Sequence, residues 1–183
     1  MHNVWKGSRT SRLVAAAAIV MFAAPLALAA DASKEAMAKY ILATAKAFRT
    51  VYVKQVIEQA KKAGVKPNEK WTSDDHAIML PAQFVKAAGA ELKDFELGLV
   101  GLTPIYKSNL PKSKAEEDAL KQMLANKDLK VLTFADGNQF KGLAADYAIV
   151  KSCADCHNAH PDSPKKDFKE GDLMGAIVVR FNN

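Results

Sequence analysis

Cysteine is scarce in this sequence: the 183 residues contain two, Cys153 and Cys156, and histidine is limited to four. A closed structural zinc site needs four protein ligands, so this composition argues against one. No carboxylate pair, Ser-His-Asp order or glycine-rich phosphate loop stands out in the sequence. Hydrolytic and phosphoryl-transfer activities therefore have no support.

Charge of one sign is not concentrated anywhere in the chain. Lys and Arg number 26 against 20 Asp and Glu, and the pairs Lys61-Lys62 and Lys165-Lys166 are isolated from each other among acidic residues. Nucleic-acid binding needs a basic patch with some periodicity or a recognised fold, so we expect no nucleic-acid partner. The mild positive excess is compatible with an acidic protein partner.

Residues 1–30 have the features of an export signal. Three basic residues precede an apolar stretch from Leu13 to Leu28, and Ala27-Leu28-Ala29 gives the small-x-small pattern that signal peptidase cuts. We predict a cleavable signal peptide over 1–30, a periplasmic location, and a single domain over 31–183. The alternative is a membrane anchor formed by an uncleaved signal segment, because the apolar stretch approaches the length of a bilayer span.

A long N-terminal helix is predicted between Ala32 and Ala63. The stretch contains no proline or glycine, and Gly64 follows it as a helix-ending residue. Apolar side chains recur there at three- or four-residue spacing, which predicts one apolar face: Met37, Ile41, Phe48, Tyr52 and Val56. Because such a helix is longer than a compact domain of this size needs, we expect a homodimer buried along Met37, Ile41 and Phe48.

Shorter helices and several strands are predicted after residue 64. Leu80-Pro81 opens one helix, and Ser113-Lys114-Ala115-Glu116 has the form of a capping box that opens another, with Leu120, Met123 and Leu124 as its inner face. Strand patterns cover 97–106, 129–134, 139–143 and 173–181, with Asp136-Gly137 as a hairpin turn. These elements predict an α+β fold: an antiparallel sheet packed by a long N-terminal helix and shorter flanking helices.

The run Cys153-Ala154-Asp155-Cys156-His157 carries the strongest functional signal. Two cysteines separated by two residues and followed at once by histidine suit covalent haem attachment, because both thiols reach the haem vinyl groups while the imidazole comes under the iron. A thioredoxin-like dithiol is expected in a βαβ setting, whereas Ala159-His160-Pro161 and a polar loop follow this run. A structural disulfide gives no reason for His157. We therefore predict one covalent haem c with His157 as an axial iron ligand.

The residues around this run resemble the PAS-like c-type haem family. The resemblance is carried by the block from Asp146 through Cys153 and His157-Asn158-Ala159-His160-Pro161 to Gly175. Upstream, Leu80 to Phe84, Asn109-Leu110-Pro111, Glu116 to Leu120 and Asp136-Gly137 follow the family's order. The resemblance implies a PAS-like antiparallel sheet behind an N-terminal helix, with Cys153, Cys156 and His157 in their motif roles. Some relatives use a cysteine of the N-terminal helix as the second iron ligand, and this chain has no cysteine outside the attachment run.

The second axial ligand is left open by the sequence. Met79 and His76 share a loop just before Pro81, where a side chain can turn toward a cofactor, and both residue types bind haem iron. His160 is too close to His157 in sequence to reach the opposite haem face, so we expect it to contact a haem propionate or to fix the loop. More distant candidates are Met37, Met123 and Tyr52; core packing is the expected role of Met37 and Met123, which lie on the apolar faces of predicted helices.

Two functions follow from the state of the sixth iron position. With two protein ligands, the chain would be a periplasmic monohaem cytochrome that transfers single electrons to a redox partner protein or reports redox state. With a displaceable ligand, it would be a haem-based sensor of nitric oxide, carbon monoxide or oxygen that acts through a partner. Peroxidase chemistry is the least favoured, because only His76 could serve as a distal acid-base group.

Overall fold

A computed structural model describes residues 32–182 of the chain, which divides into two compact units, 1–36 and 37–183. Of the first unit, only residues 32–36 are described, and they are helical. The predicted signal peptide over residues 1–30 lies outside the described part. Within the described residues, no helix combines the length and the apolar character needed to cross a membrane.

The second unit starts with helical residues from 37 to 62. Helix α1 covers residues 37–51, a π-helical turn follows over Tyr52–Ile57, and helix α2 spans Glu58–Lys62. Gly64 comes two residues later with a φ of 82°, a left-handed conformation that glycine adopts without steric cost. We call residues 37–62 the N-terminal helical segment.

The buried face of this segment differs from the predicted one. Ala38, Leu42, Val53 and Ile57 are at most 3% exposed, whereas Met37, Phe48 and Val56 are exposed. The segment carries two apolar stripes, and the one with small residues packs on the sheet. A Cβ atom on Gly142 would come within 3.1 Å of the Ala38 side chain and 3.0 Å of Leu42, so the helix approaches the strand backbone closely there.

Four strands form one antiparallel sheet in the order β3-β6-β5-β4. They are β3 (Glu96–Val100), β4 (Val131–Asp136), β5 (Gln139–Tyr147) and β6 (Leu173–Asn182). Strands β4 and β5 form the predicted hairpin, with Asp136 opposite Gln139 and Gly137 at a φ of 60°. A separate parallel pair joins β1 (Lys66–Pro67) to β2 (Ala77–Ile78).

Helices cover both faces of the sheet. Helix α3 (Pro81–Ala90) and the N-terminal helical segment share a core with Ala144, Ile177 and Val179. Helix α4 (Lys114–Ala125) covers the other face, where Leu143 and Val178 pack. Alternate residues of β5 and β6 therefore enter opposite cores, which explains their nearly continuous apolar sequences. The predicted mixture of helices and an antiparallel sheet is confirmed.

Helix α4 begins where the Ser-x-x-Glu pattern predicted. Ser113 is the N-cap, and its hydroxyl accepts a hydrogen bond from the Glu116 backbone at 3.2 Å. Of the predicted inner face, Leu120 and Met123 are buried, but Leu124 is 57% exposed. The Glu116 carboxylate turns into the interior instead, where it accepts hydrogen bonds from Arg180 of β6 and Lys141 of β5.

Candidate functional site

Helix α5 (Lys151–Ala159) carries the Cys153-to-His157 run directly after strand β5. Residues three and four apart share one face of a helix. Cys153 therefore lies on the same face as Cys156 and His157. Both cysteines are free thiols, with Cys153 half-buried and Cys156 exposed. Helical folding thus places the two thiols and the imidazole side by side, an arrangement that the linear spacing alone does not guarantee.

A small cluster attaches α5 to the rest of the domain. Ala154 is the buried residue of the helix and packs with Ala148 and Phe168, and Cys153 packs against this cluster. The Asn158 amide donates to the Phe168 carbonyl at 2.8 Å, and its oxygen accepts from the Phe168 backbone at 2.9 Å. This double hydrogen bond holds the loop after α5 against the helix that carries His157.

The side chain of His157 packs against the loop that follows α5. Its ring meets Phe168 edge-on, with centroids 5.8 Å apart and planes at 84°. Burial, followed by the positive charge of Arg49 and the neighbouring His160, lowers the pKa of His157. Partial desolvation and the neighbouring Cys153 raise the pKa of the Cys156 thiol.

His160 ties the loop after α5 to two distant loops. Its Nδ1 accepts from the Asp162 backbone at 3.2 Å, so the proton on Nε2 faces the Glu69 carboxylate, also 3.2 Å away. The Tyr106 hydroxyl donates to the same Glu69 oxygen at 2.5 Å, and this bond raises the pKa of Tyr106 to about 12. These contacts tie the loop after α5 to Glu69, while the His160 backbone N–H donates to the Cys156 carbonyl at 3.1 Å where the helix ends.

The two leading candidates for the second axial ligand lie between β2 and α3 or just before β2. Met79 is half-buried, and its carbonyl accepts a hydrogen bond of 2.7 Å from the Tyr52 hydroxyl of the π-helical turn. Tyr52 also stacks on Phe84 at 4.5 Å. His76 is exposed, and its backbone N–H donates to the Asp74 carboxylate at 2.9 Å. Met79 thus belongs to a packed contact with the N-terminal helical segment, whereas His76 belongs to a surface turn.

The more distant candidates have other surroundings. Met123 of α4 has no exposed surface and packs in the core, as expected from its place on the apolar face of that helix. Met37 is 47% exposed on α1. The described residues contain no cluster of three or more His, Cys, Asp or Glu side chains arranged for a metal ion. Two surface pockets, one beside Arg180 and one beside Ser113, include no residue of α5.

A family comparison covers nearly all of the chain. The model of the Tll0287-like family, described as Tll0287, matches residues 27–182. The chain belongs to the Tll0287-like family. Among solved structures, a match titled "Crystal structure of the cyanobacterial heme-protein Tll0287" has 20% sequence identity and a TM-score of 0.47, and covers 56% of this chain and 70% of that chain. No curated protein matches the chain.

Sequence reasoning missed one charged pair of this Tll0287-like chain. Arg49 of α1 is 9% exposed, and its Nη1 lies 2.9 Å from Oδ1 of Asp146 on β5. Burial raises the pKa of Asp146, and the charges of Arg49 and Lys46 oppose that rise. The signal in the sequence was a basic residue one turn from Ala45 and Val53, on the stripe that faces the sheet.

Proposed function

We propose that this chain is an exported c-type cytochrome that carries one haem c, bound through thioethers to Cys153 and Cys156, with His157 as an axial iron ligand. The observation that carries the proposal is the single face of α5, which presents two free thiols and the His157 imidazole. Tll0287, after which the family is named, is described as a haem protein.

The side chains around α5 fit such a group. Phe168 supports the His157 ring edge-on, and burial together with the charge of Arg49 lowers the pKa of His157, which favours the neutral form that coordinates iron. Haem, when bound, supplies an iron centre that accepts and releases one electron. The domain's part is to orient His157, to exclude water on the Phe168 side, and to set the charge near the iron.

We further propose that the domain over residues 31–183 is PAS-like, with its sheet behind a long N-terminal helix, and that residues 1–30 direct it to the periplasm. The export motif of the sequence supports this location. Cell fractionation followed by intact-mass measurement tests the proposed export. The protein should be recovered from the periplasm, and its mass should be lower than that of the full chain by the mass of residues 1–30.

Met79 is our first choice for the second axial ligand, with His76 as the alternative. The Tyr52 hydroxyl holds the Met79 backbone beside the π-helical turn, and π-helical turns are frequent at functional sites. Replacing Met79 with alanine should remove a strong-field ligand and convert a low-spin c-type spectrum to a high-spin one, with a lower reduction potential. His76→Ala is the matched comparison, measured by visible absorption and redox titration. If neither variant alters the spectrum, neither residue is the ligand.

The same spectra distinguish electron transfer from gas sensing. Two strong protein ligands should give a sharp low-spin spectrum that carbon monoxide does not change in the reduced protein, which favours one-electron transfer to a partner or redox reporting. A carbon monoxide shift in the unmodified protein would show a displaceable sixth ligand. That result would favour a sensor of nitric oxide, carbon monoxide or oxygen.

We also propose that two copies associate through α1. Met37, Tyr40, Phe48 and Val51 are between 47% and 75% exposed on this helix. Exposed apolar surface of this kind often marks a protein interface. Ile41, which the sequence placed in this interface, packs against the core instead.

Phe48→Asp should convert the expected dimer to a monomer, because the buried interface would then hold an unpaired charge. Light scattering gives the mass directly. Leu124→Asp is the matched control, because Leu124 is 57% exposed on α4, which packs on the opposite face of the sheet from α1. This variant should leave the mass unchanged. A monomeric mass for the unmodified protein would contradict the proposal.

A further inference from the structure

Arg49 is a buried cation whose hydrogen bonding is incomplete. The residue is 9% exposed, its Nη1 pairs with Asp146 at 2.9 Å, and its Nε has no partner among the described residues although the atom is buried. An unsatisfied buried donor costs about 1–3 kcal/mol. Such a group in a native protein calls for an explanation, and an anion that belongs to the functional protein is one.

The other buried charges of the described domain are fully paired. Glu116 accepts from Lys112, Lys141 and Arg180, and Arg180 donates to Glu96 as well. Arg49 is the exception among the buried side chains of residues 32–182. Incomplete pairing is therefore not a general property of this fold but a feature of one position.

Two observations relate this position to helix α5. Asp146 lies two residues before Ala148, which packs with Ala154 and Cys153 of α5. The positive charge of Arg49 is also among the causes that lower the pKa of His157. The Arg49–Asp146 pair therefore lies at the end of β5 that leads into α5.

We propose that Arg49 is a positioning residue that binds a haem propionate carboxylate through the Nε side of its guanidinium, while Asp146 holds the Nη1 side. The inference rests on the proposed haem attachment and adds to it the residue that anchors the acidic edge of the group. A planar guanidinium suits the task because its donors form a fixed fork that matches a carboxylate, and it stays charged when buried.

The contact has a direct effect on the iron. A propionate neutralised by Arg49 stabilises the oxidised, more positive centre less than a free propionate does. Arg49→Gln should therefore lower the equilibrium constant for one-electron reduction about tenfold, which corresponds to about 59 mV for one electron. Arg49→Lys keeps the positive charge but loses the forked donors of the guanidinium. Its equilibrium constant for reduction should therefore lie between those of the wild type and Arg49→Gln.

The experiment is a redox titration of the haem-loaded protein with a matched control. Lys46→Gln removes the same charge one turn away, from a lysine that also acts on Asp146, and should shift the equilibrium constant far less. Equal shifts in Arg49→Gln and Lys46→Gln would overturn the inference, because both would then be long-range charge effects.

A double variant shows whether the effect of Arg49→Gln comes from an unpaired buried ion or from the change in net charge. Arg49→Gln combined with Asp146→Asn removes the pair without changing the net charge and leaves no unpaired buried ion. A loss of the tenfold effect in this double variant would overturn the inference, and its persistence would support a direct contact. If the wild-type protein carries no covalent haem, the proposed function itself is refuted. If the wild type carries haem and Arg49→Gln has the same reduction potential, only this inference is refuted.

Discussion

Replacing both Cys153 and Cys156 with serine should give an exported protein that carries no covalent haem. Helix α5 presents both thiols on the face that also carries His157, and each thioether needs one of them. Serine keeps the size and removes the thiol. The measurement is haem-dependent peroxidase staining after denaturing electrophoresis, which detects only covalently attached haem.

Two further variants make this result specific. Lys151→Gln changes an exposed residue of the same helix that pairs with Asp155, and its staining should equal that of the wild type. His157→Ala should retain covalent haem if it matures, but with a high-spin spectrum, because the thioethers remain while the axial donor is lost. Covalent haem in the double serine variant would contradict the assignment of the attachment residues.

The local features of this protein were accessible from its sequence. Asp136-Gly137 is a hairpin turn because glycine supplies the positive φ that the tight connection requires, and Ser113 caps α4 because its hydroxyl replaces a missing helical partner. The Cys153-to-His157 run is equally local, and its role in haem attachment stays a prediction. Each of these patterns is complete within a few residues, so neighbouring side chains alone determine the interaction.

The orientation of the N-terminal helical segment was not accessible in the same way. Large apolar residues such as Phe48 gave the stronger periodic signal, yet the stripe with Ala38 and Leu42 packs on the sheet. The decisive partner is Gly142, more than ninety positions later, whose missing side chain lets the helix approach. A helix that packs closely against a glycine favours small residues at the contact, and small residues contribute little to a hydrophobic periodicity.

Long-range polar contacts at the candidate site were also hidden. Glu69, Tyr106 and His160 come from three loops that meet only in the folded chain, and Arg49 meets Asp146 across the interface of a helix and a strand. The sequence predicted that His160 contacts a haem propionate or fixes the loop, because it is too close to His157 to reach the opposite haem face. It could not identify Glu69 as the partner, since no pattern links residues that are 91 positions apart.

Glu116→Gln should be among the most destabilising single substitutions in this domain. Glu116 has no exposed surface and accepts hydrogen bonds from both Arg180 and Lys141, which are themselves buried. Glutamine removes the negative charge and leaves two buried cations with less compensation. Breaking a buried ion pair by changing one partner costs about 3–5 kcal/mol. Urea unfolding of the wild type and the variant measures the difference.

The neighbouring residue provides the control. Glu117 lies on the same helix and pairs with Lys121 at the surface, so Glu117→Gln should change the free energy of unfolding by about 0–1 kcal/mol. Equal effects of the two substitutions would show that burial of Glu116 contributes little.

The pH dependence of this difference gives an independent check. Hydrogen bonds from Arg180 and Lys141 outweigh desolvation and lower the pKa of Glu116 to about 2, below its ordinary value of 4.5. A carboxyl group whose pKa is depressed by folding stabilises the native state above its unfolded pKa, and the stabilisation is lost as the pH falls toward the folded pKa. The gap in unfolding free energy between the wild type and Glu116→Gln should therefore be full at pH 6 and shrink between pH 4.5 and about pH 2. A gap that stays constant over that range would mean that packing, and not the charge of Glu116, accounts for the loss.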